Sequence, residues 1–224
     1  HAAATRHAGL HQWIVCNPGC DLRLWVSGEL LRDVGCDAGS TPQPEENLQL
    51  AARDELTRRY GADATGWALT LWKSEVAQGA CALAGIDLAG LTLHARAHQV
   101  RIRSVVPWWY HAFLQAKQCV NGLNAAERAS VCVVEGRQVV WVSMVRGSLA
   151  GIRQSRLAEP SVLALGEAMA SMRSLSAVRA LPVVLGQGLV DGARTGRLEA
   201  LVLGRLDGEQ PPNWLQPGSQ VDAH

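Results

Sequence analysis

Lysine and phenylalanine are nearly missing from this sequence of 224 residues, which has a single Phe and, among 21 basic residues, only Lys73 and Lys117 as lysines. The positive charge is therefore carried almost entirely by arginine, a bias that we attribute to a GC-rich genome and not to phosphate recognition. Eight tryptophans are present. Several of them must supply the aromatic volume of the core that phenylalanine does not.

An excess of one charge sign and a long apolar run are also missing. The 21 basic and 20 acidic residues leave a net charge of +1, so no basic face is expected and nucleic acid is excluded as a partner. The apolar stretches at 131–145 and 181–185 stop well short of the roughly 18–20 residues that a membrane-spanning helix needs. The amino-terminal residues lack the pattern of a signal peptide. We expect a soluble, cytoplasmic protein without direct membrane insertion.

The cysteines do not form the pattern of a disulfide framework or of a metal site. Their spacing is irregular, and Cys81 and Cys132 lie in apolar, strand-like runs, where thiols behave as small hydrophobic groups. We expect all six to be reduced and free of metal, as in a cytoplasmic protein. The spacing leaves open whether Cys16 and Cys20 pair. The six are Cys16, Cys20, Cys36, Cys81, Cys119 and Cys132.

Periodicity and turn residues predict alternating strands and helices in the first half of the chain. Three short strands are predicted between Gln12 and Val34, separated by Asn17-Pro18-Gly19 and Ser27-Gly28. The elements that follow are a helix over 45–60, strands over 66–72 and 78–83, a helix over 86–98, a strand over 100–106 and a helix over 108–122.

The pattern then restarts, which is a weak internal repeat. The predicted elements are strands over 129–134, 138–142 and 145–153, a helix over 159–175, and strands over 178–185 and 198–203. This order predicts an α/β protein with two β-β-β-α-type units, the second truncated. We place the first unit at 11–125, the second, smaller unit at 126–206, and a flexible tail rich in Gly, Pro and Gln at 207–224.

Two stretches resemble a known family. Residues 85–114 have the sequence GIDLAGLTLHARAHQVRIRSVVPWWYHAFL, and residues 130–153 have the sequence SVCVVEGRQVVWVSMVRGSLAGIR. The first is similar to a helix, an arginine-containing strand and a proline-led helix of the actin-like cytoplasmic assembly proteins of type IV pili and type II secretion systems. The second resembles the three-strand start of their second lobe. The resemblance implies a ribonuclease-H-like/actin-like fold.

The nucleotide-binding features of actin-like proteins are missing from the matching positions. The predicted first strand and turn, Ile14 to Gly19, have no carboxylate to hold Mg²⁺ through water, and Pro18 removes a backbone N–H from the place where a phosphate would bind. The turn Glu135-Gly136-Arg137 is too short to enclose a phosphate. We therefore expect no cofactor and no ATPase activity.

Other catalytic and metal motifs fail on spacing. His94 and His98 are four residues apart on a predicted helix, but Ala95 stands where zinc hydrolases have a glutamate. Ser148 follows Gly147 directly and so does not form a nucleophile elbow. Gly186-Gln187-Gly188 lacks the third glycine of a dinucleotide site. We assign no catalytic, cofactor-binding or metal-binding residue.

The aromatic run Trp108-Trp109-Tyr110 at a predicted helix start is the candidate interface. Consecutive helical residues point about 100° apart, so the three rings cannot all face one core. We expect one of the two tryptophans in the core and the other, with Tyr110, at a contact surface. The alternative is that one or two of the rings lie in the core and the third lies flat on the surface.

These observations favour a non-catalytic scaffold. The resemblance implies protein–protein contacts in a bacterial pilus or secretion-type assembly, with inner-membrane assembly proteins or a second copy of the chain as candidate partners. One alternative is a metal-dependent enzyme of ribonuclease-H-like fold, which needs converging carboxylates. Most acidic residues lie in predicted helices or loops, which argues against it. Another alternative is a small-ligand-binding α/β domain.

Overall fold

The computed structural model describes residues 9–36, 44–159, 161–174, 181–187 and 201–203. The helices in these ranges are α1 (Leu10–Cys16), α2 (Glu45–Tyr60), α3 (Leu88–Ala97), α4 (Trp108–Cys119) and α5 (Val162–Ser174). The strands are β1 (Asp21–Val26), β2 (Leu31–Cys36), β3 (Ala68–Lys73), β4 (Gln78–Leu83), β5 (Arg101–Pro107), β6 (Arg128–Glu135), β7 (Gln138–Val145), β8 (Ser148–Arg156), β9 (Leu181–Gln187) and β10 (Leu201–Leu203). Short 3-10 helices span Gly28–Leu30 and Ala62–Gly66.

Local signals set the ends of the helices. In α2 the buried residues Leu48, Ala52 and Leu56 recur every four residues and form one face, as the sequence pattern predicts. The helix ends at Gly61, which has a φ of 83° that favours glycine. Helix α3 begins after Asp87, whose Oδ1 accepts a hydrogen bond of 2.8 Å from the backbone N–H of Gly90.

The second unit contains a five-stranded sheet in the order β10-β9-β6-β7-β8. Strands β6, β7 and β8 are antiparallel, while β9 runs parallel to β6 and β10 parallel to β9. The sequence predicted the order of these elements, three strands followed by a helix and two further strands, and the structure supplies their directions. This larger sheet lies in the unit that the sequence analysis expected to be truncated. The predicted tail at 207–224 lies outside the described residues.

The first unit differs from the prediction of three consecutive paired strands between Gln12 and Val34. Strand β1 pairs in parallel with β5 in a two-stranded sheet, and β2 joins a separate antiparallel sheet in the order β2-β4-β3. The 3-10 helix Gly28–Leu30 separates β1 from β2 where a tight hairpin turn was expected. The turn signal was placed correctly, but the pairing partners lie more than 40 residues away in the sequence.

The segment predicted as the first strand, Gln12 to Cys16, is helical and belongs to α1. Its β-branched residues suggested a strand. The apolar positions Leu10, Trp13 and Ile14 are spaced as on one helical face, and they pack with Leu91 and Ala95 of α3. The comparison with a nucleotide-binding first strand therefore does not apply to these residues.

The main core spans both units. It contains Leu31 and Leu83 from the three-stranded sheet, Trp109 and Phe113 from α4, and the inward face of β6, β7 and β8. A second cluster lies on the other face of the five-stranded sheet, where Leu165 and Met169 of α5 pack. The two units therefore share one main core. No helix among the described residues is long and apolar enough to cross a membrane.

Candidate functional site

An apolar cavity of about 590 Å³ opens where the three-stranded sheet, helix α4 and the β7–β8 turn meet. One wall is formed by Trp109, Tyr110 and Phe113 of α4. The opposite wall comes from the three-stranded sheet. Polar groups lie at the rim, and they include Lys73, Ser74, Glu75, Lys117 and Ser148. A concave, mainly apolar site with a few polar groups has the general form of a binding site.

Helix α4 places the three candidate aromatic residues differently. Trp109 is 2% exposed and belongs to the main core, whereas Tyr110 is 38% exposed. Trp108 is half-buried and packs against the core. Both Trp109 and Tyr110 line the cavity, and their rings meet edge to face with centroids 5.8 Å apart. Leu114, one turn after Tyr110, is also exposed at the cavity.

The opposite wall is formed by β3 and β4. Thr70 and Trp72 from β3 and Cys81 and Leu83 from β4 line it. The indole Nε1 atoms of Trp72 and Trp109 are buried without a hydrogen-bond partner. A buried N–H group without an acceptor is costly. The Trp109 indole interacts with the buried carboxyl of Asp33, whereas the Trp72 N–H has no acceptor among the described residues.

Two hydrogen bonds attach the β7–β8 turn to the rim. Lys117 Nζ donates to the backbone oxygen of Gly147 at 2.7 Å, and the Ser74 hydroxyl donates to the backbone oxygen of Leu149. The turn has positive φ at Arg146 (49°) and Gly147 (75°). These contacts join the second unit to both walls of the cavity, so its shape depends on how the two units are held together.

Asp33 of β2 is a buried carboxylate on the face of the sheet that carries the cavity residues Leu31 and Cys81. It is 7% exposed, and its Oδ2 accepts a hydrogen bond of 2.8 Å from Gln154 Nε2 of β8. Burial raises the pKa of Asp33 from 3.8 to about 7, while interactions with the Cys81 thiol and the Trp109 indole lower it. Oδ1 and the Trp109 Nε1 nonetheless do not reach hydrogen-bond geometry with each other. The carboxyl thus contacts two residues of the cavity walls and links the two units.

Glu135 makes a second polar contact between the units. Its Oε2 accepts a hydrogen bond of 2.7 Å from the backbone N–H of Gly28, and burial raises the pKa of Glu135. In the same turn, Arg137 Nε donates to the backbone oxygen of Leu157 at 3.1 Å. The Glu135-Gly136-Arg137 turn, which the sequence analysis compared with a phosphate-binding hairpin, is therefore occupied by contacts within the protein.

The remaining candidates lie away from the cavity. Cys16 and Cys20 are exposed and carry free thiols. His94 and His98 lie on one face of α3, and the structure adds His11, whose ring centroid is 4.7 Å from that of His94. Within the described ranges, no group of three His, Cys, Asp or Glu residues could hold a metal ion.

Sequence reasoning found the aromatic wall on α4 but not the opposite wall or Asp33. Trp72 belongs to a correctly predicted strand, yet nothing in its local sequence shows that it faces α4. The local sequence gives no clear signal for Asp33, which follows Arg32 in the short strand and so resembles half of an exposed charged pair. Its partner Gln154 is 121 residues away.

No protein-family model matches the chain, and no curated protein matches it. Among solved structures, the chain is similar to one in the PilM-PilN type IV pilus biogenesis complex. The TM-score is 0.53 and the identity 15%, covering 81% of this chain and 68% of that chain.

Two further solved structures are similar at lower TM-scores. A Bacteroides thetaiotaomicron protein with an actin-like ATPase fold and unknown function has a TM-score of 0.48 at 8% identity, covering 80% of this chain and 66% of that chain. The cytoplasmic domain of EpsL, an inner membrane component of the Vibrio cholerae type II secretion system, has a TM-score of 0.47 at 10% identity, covering 96% of this chain and 73% of that chain.

The likeness to the pilus-complex chain is one of fold. It agrees with the strand order β10-β9-β6-β7-β8, which is that of a ribonuclease-H-like unit. The resemblance seen in residues 85–114 and 130–153 is confirmed at this level. The chain has the actin-like fold.

Proposed function

We propose that this chain is a non-catalytic, actin-like scaffold of a bacterial type IV pilus or type II secretion-type assembly, acting through protein–protein contacts on the cytoplasmic side. Its partner would be another assembly protein, with inner-membrane components as candidates. The observation that carries the proposal is the apolar cavity beside Tyr110 and Leu114 on an actin-like fold.

The chemistry of the cavity supports a protein partner. Tyr110 and Leu114 are exposed at its edge. Trp109 and Phe113 form the α4 wall, and both side chains are buried. Exposed large apolar side chains around a concave surface mark contact sites, and Trp and Tyr dominate the energetics of such sites. The solved structure of similar fold is in a complex of two pilus biogenesis proteins, which supports the same class of function.

The test is partner capture with matched surface variants. Tyr110→Ala combined with Leu114→Ser alters the cavity edge, while Leu93→Ser combined with Leu163→Ser alters exposed leucines of α3 and α5. Each tagged protein is used to recover partners from the native lysate, and pilus and secretion components are quantified by mass spectrometry. The cavity-edge variant should lose such a component by about tenfold or more, as expected for a contact hot spot.

Equal recovery with both double variants would contradict the proposed site. Recovery of no pilus or secretion component by the unaltered protein would contradict the proposed assembly. Thermal unfolding of all three proteins is the control, because both double variants change only exposed side chains and should retain the melting temperature.

A small-ligand-binding role is the second candidate, favoured by the buried N–H group of Trp72, which has no acceptor among the described residues. A volume of about 590 Å³ is within the range of small-molecule sites. A ligand with an acceptor group would satisfy this donor. Trp72→Phe keeps an aromatic wall and removes the donor, so it should weaken binding of 1-anilinonaphthalene-8-sulfonate, used as a probe. Unchanged probe affinity would contradict this role for the indole.

A further inference from the structure

The two-stranded sheet of the first unit lacks a neighbour that its counterpart in the second unit has. Strand β9 follows helix α5 and lies between two parallel strands, β10 and β6. Strand β1 follows helix α1 and pairs in parallel with β5 on one side. No strand among the described residues pairs with its other side.

The elements that precede and follow β1 in the chain show that it corresponds to β9 and not to β6. Strand β6 continues through a tight turn into its antiparallel partner β7. Strand β1 instead leads through Gly28–Leu30 into β2, which belongs to another sheet. Like β9, β1 follows a helix, has a parallel neighbour and does not form a hairpin with the next strand. The position beside β1 that corresponds to β6 is therefore not filled by any strand in the part of the chain that the structure describes.

Side chains near this edge are exposed as expected for an open position. In the second unit, α5 packs against Cys132 and Val134 of β6 as well as against β7. No described strand covers helix α1 in this way, and its Val15 is 49% exposed. On β1 itself, Trp25 is 56% exposed and contacts the ring of His111, with centroids 5.0 Å apart.

We propose that the free edge of β1 binds a parallel β-strand supplied by polypeptide outside these 224 residues, as β6 pairs with β9. An edge strand presents unpaired N–H and C=O groups that a further strand can satisfy. The incoming strand is apolar on both faces, like β6, because Val15 of α1 would contact one of its faces and Trp25 would adjoin the other. This inference does not depend on the proposed function of the cavity.

A second copy of the chain is not the expected source. In a two-fold symmetric dimer, identical edge strands meet antiparallel, because the symmetry axis reverses the direction of one of them. The position of β6 beside β9 requires a parallel strand. Pairing of β1 with its own copy would therefore give the wrong direction.

The test supplies the strand in cis. A copy of residues 128–135, with its cysteine replaced by serine, is fused to the amino terminus of the full chain through a flexible linker of about six residues. Residues 1–20 then provide the crossover, so the added strand can enter parallel to β1. The matched control is the same fusion with the copies of Val131 and Val133 replaced by proline. Proline has no backbone N–H to donate to a neighbouring strand.

The intact fusion should raise the melting temperature above that of the chain and of the proline control. It should also slow hydrogen exchange of the β1 amides that face away from β5 by about tenfold or more, since paired amides are protected. Equal melting temperatures and equal β1 exchange for the two fusions would overturn the proposal. Concentration-dependent dimerisation of the unaltered chain that protects the same β1 amides would also overturn it, in favour of a second copy.

Discussion

At the scale of single residues, Asp33 combines burial, a contact between the units and proximity to the cavity. Its carboxyl accepts a hydrogen bond from Gln154 and interacts with Cys81 and Trp109, which line the cavity. Burial is the main cause of its raised pKa, and no basic side chain among the described residues contributes to the shift. The protonation state of Asp33 therefore affects stability near neutral pH.

The first prediction is that Asp33→Asn stabilises the protein at alkaline pH. The folded-state pKa of about 7 is above the ordinary value of 3.8, so the stability associated with the protonated carboxyl is complete below about pH 4 and is lost as the pH rises towards 7. From pH 5 to pH 8 the wild type should lose about 2–3 kcal/mol relative to Asp33→Asn. Urea unfolding at both pH values measures this.

Asp54→Asn is the control, because it makes the same change of side chain at an exposed position of α2. Glu135, whose pKa is also raised by burial, contributes in the same direction in all three proteins and cancels in the comparison. An Asp33→Asn protein with the pH dependence of the wild type would show that the carboxyl is ionised at little cost in the folded state.

The second prediction concerns the core aromatic residue of α4. Trp109 is 2% exposed and contributes to both the main core and the cavity wall, so Trp109→Ala should lower the free energy of unfolding by roughly 3–5 kcal/mol. Tyr110→Ala, at the adjacent exposed position, should lower it by less than about 1 kcal/mol. Chemical denaturation compares the two, and equal losses would mean that Tyr110 is also a core residue.

At the scale of elements, strand β4 forms the centre of the three-stranded sheet, and every residue of it is buried. Gly79 of β4 lies against the backbone oxygen of Val34 and the ring of Trp72. A side chain at this position would displace β2 or the Trp72 ring, and the ring forms part of the cavity wall. The close approach of β2, β3 and β4 therefore depends on this glycine.

The third prediction is that Gly79→Ala destabilises the protein, whereas Gly35→Ala, at the residue paired with Gly79, does not. The added methyl group has to move backbone or an indole ring, which should cost about 1–3 kcal/mol or more. Gly35 faces Gly79 across β2 and β4, and a Cβ at Gly35 would meet nothing within 4 Å. Gly35→Ala should therefore be tolerated, and thermal unfolding of both variants provides the comparison. Equal stability of the two would contradict the tight packing at Gly79.

At the scale of the whole molecule, contacts between the units hold the cavity and fill the place of a phosphate-binding turn. Between the units, Glu135 accepts a hydrogen bond from Gly28 and Lys117 donates one to Gly147, and within the second unit Arg137 donates to Leu157. These interactions use the polar groups of the second-unit hairpin and fix the β7–β8 turn to the first unit. Opening the units would therefore change both regions together.

The fourth prediction is that the chain does not bind ATP with Mg²⁺ tighter than about 100 μM, which corresponds to about −5.5 kcal/mol. The turn at Glu135-Gly136-Arg137 has its side chains engaged by protein groups. Isothermal titration calorimetry of the full chain with MgATP measures the affinity. Tighter binding would contradict the expectation of a non-catalytic scaffold without a cofactor.

Most elements were predictable because their signals are local. Helix α2 was predicted from its apolar spacing and from Gly61 with the bounds that the structure has, and β4 likewise. The prediction failed at Gln12 to Cys16, where β-branched residues favoured a strand and packing against α3 selected a helix. Intrinsic preference is a weak guide for such a short segment when tertiary contacts oppose it.

The candidate site was predictable only in part. The run Trp108-Trp109-Tyr110 indicated an unusual surface, because successive helical residues point in different directions. The wall opposite it could not be predicted. The β3–β4 pairing that carries Trp72 and Cys81 is local, but the meeting of these strands with α4 is a contact between distant segments of the chain. The division of β1 and β2 between two sheets was missed for the same reason.

Apart from the segment Gln12 to Cys16, the sequence by itself determined the order of strands and helices, and it determined the absence of standard catalytic motifs and the resemblance that implied an actin-like fold. These depend on periodicity, turn residues and motif spacing, which are local properties of the chain. Only the tertiary structure decided that Asp33 is buried against Gln154, that the cavity lies between α4 and the three-stranded sheet, and that one edge of β1 has no partner among the described residues. Burial and strand pairing depend on which distant segments meet, and residues 121 positions apart in the chain carry no local sign of their contact.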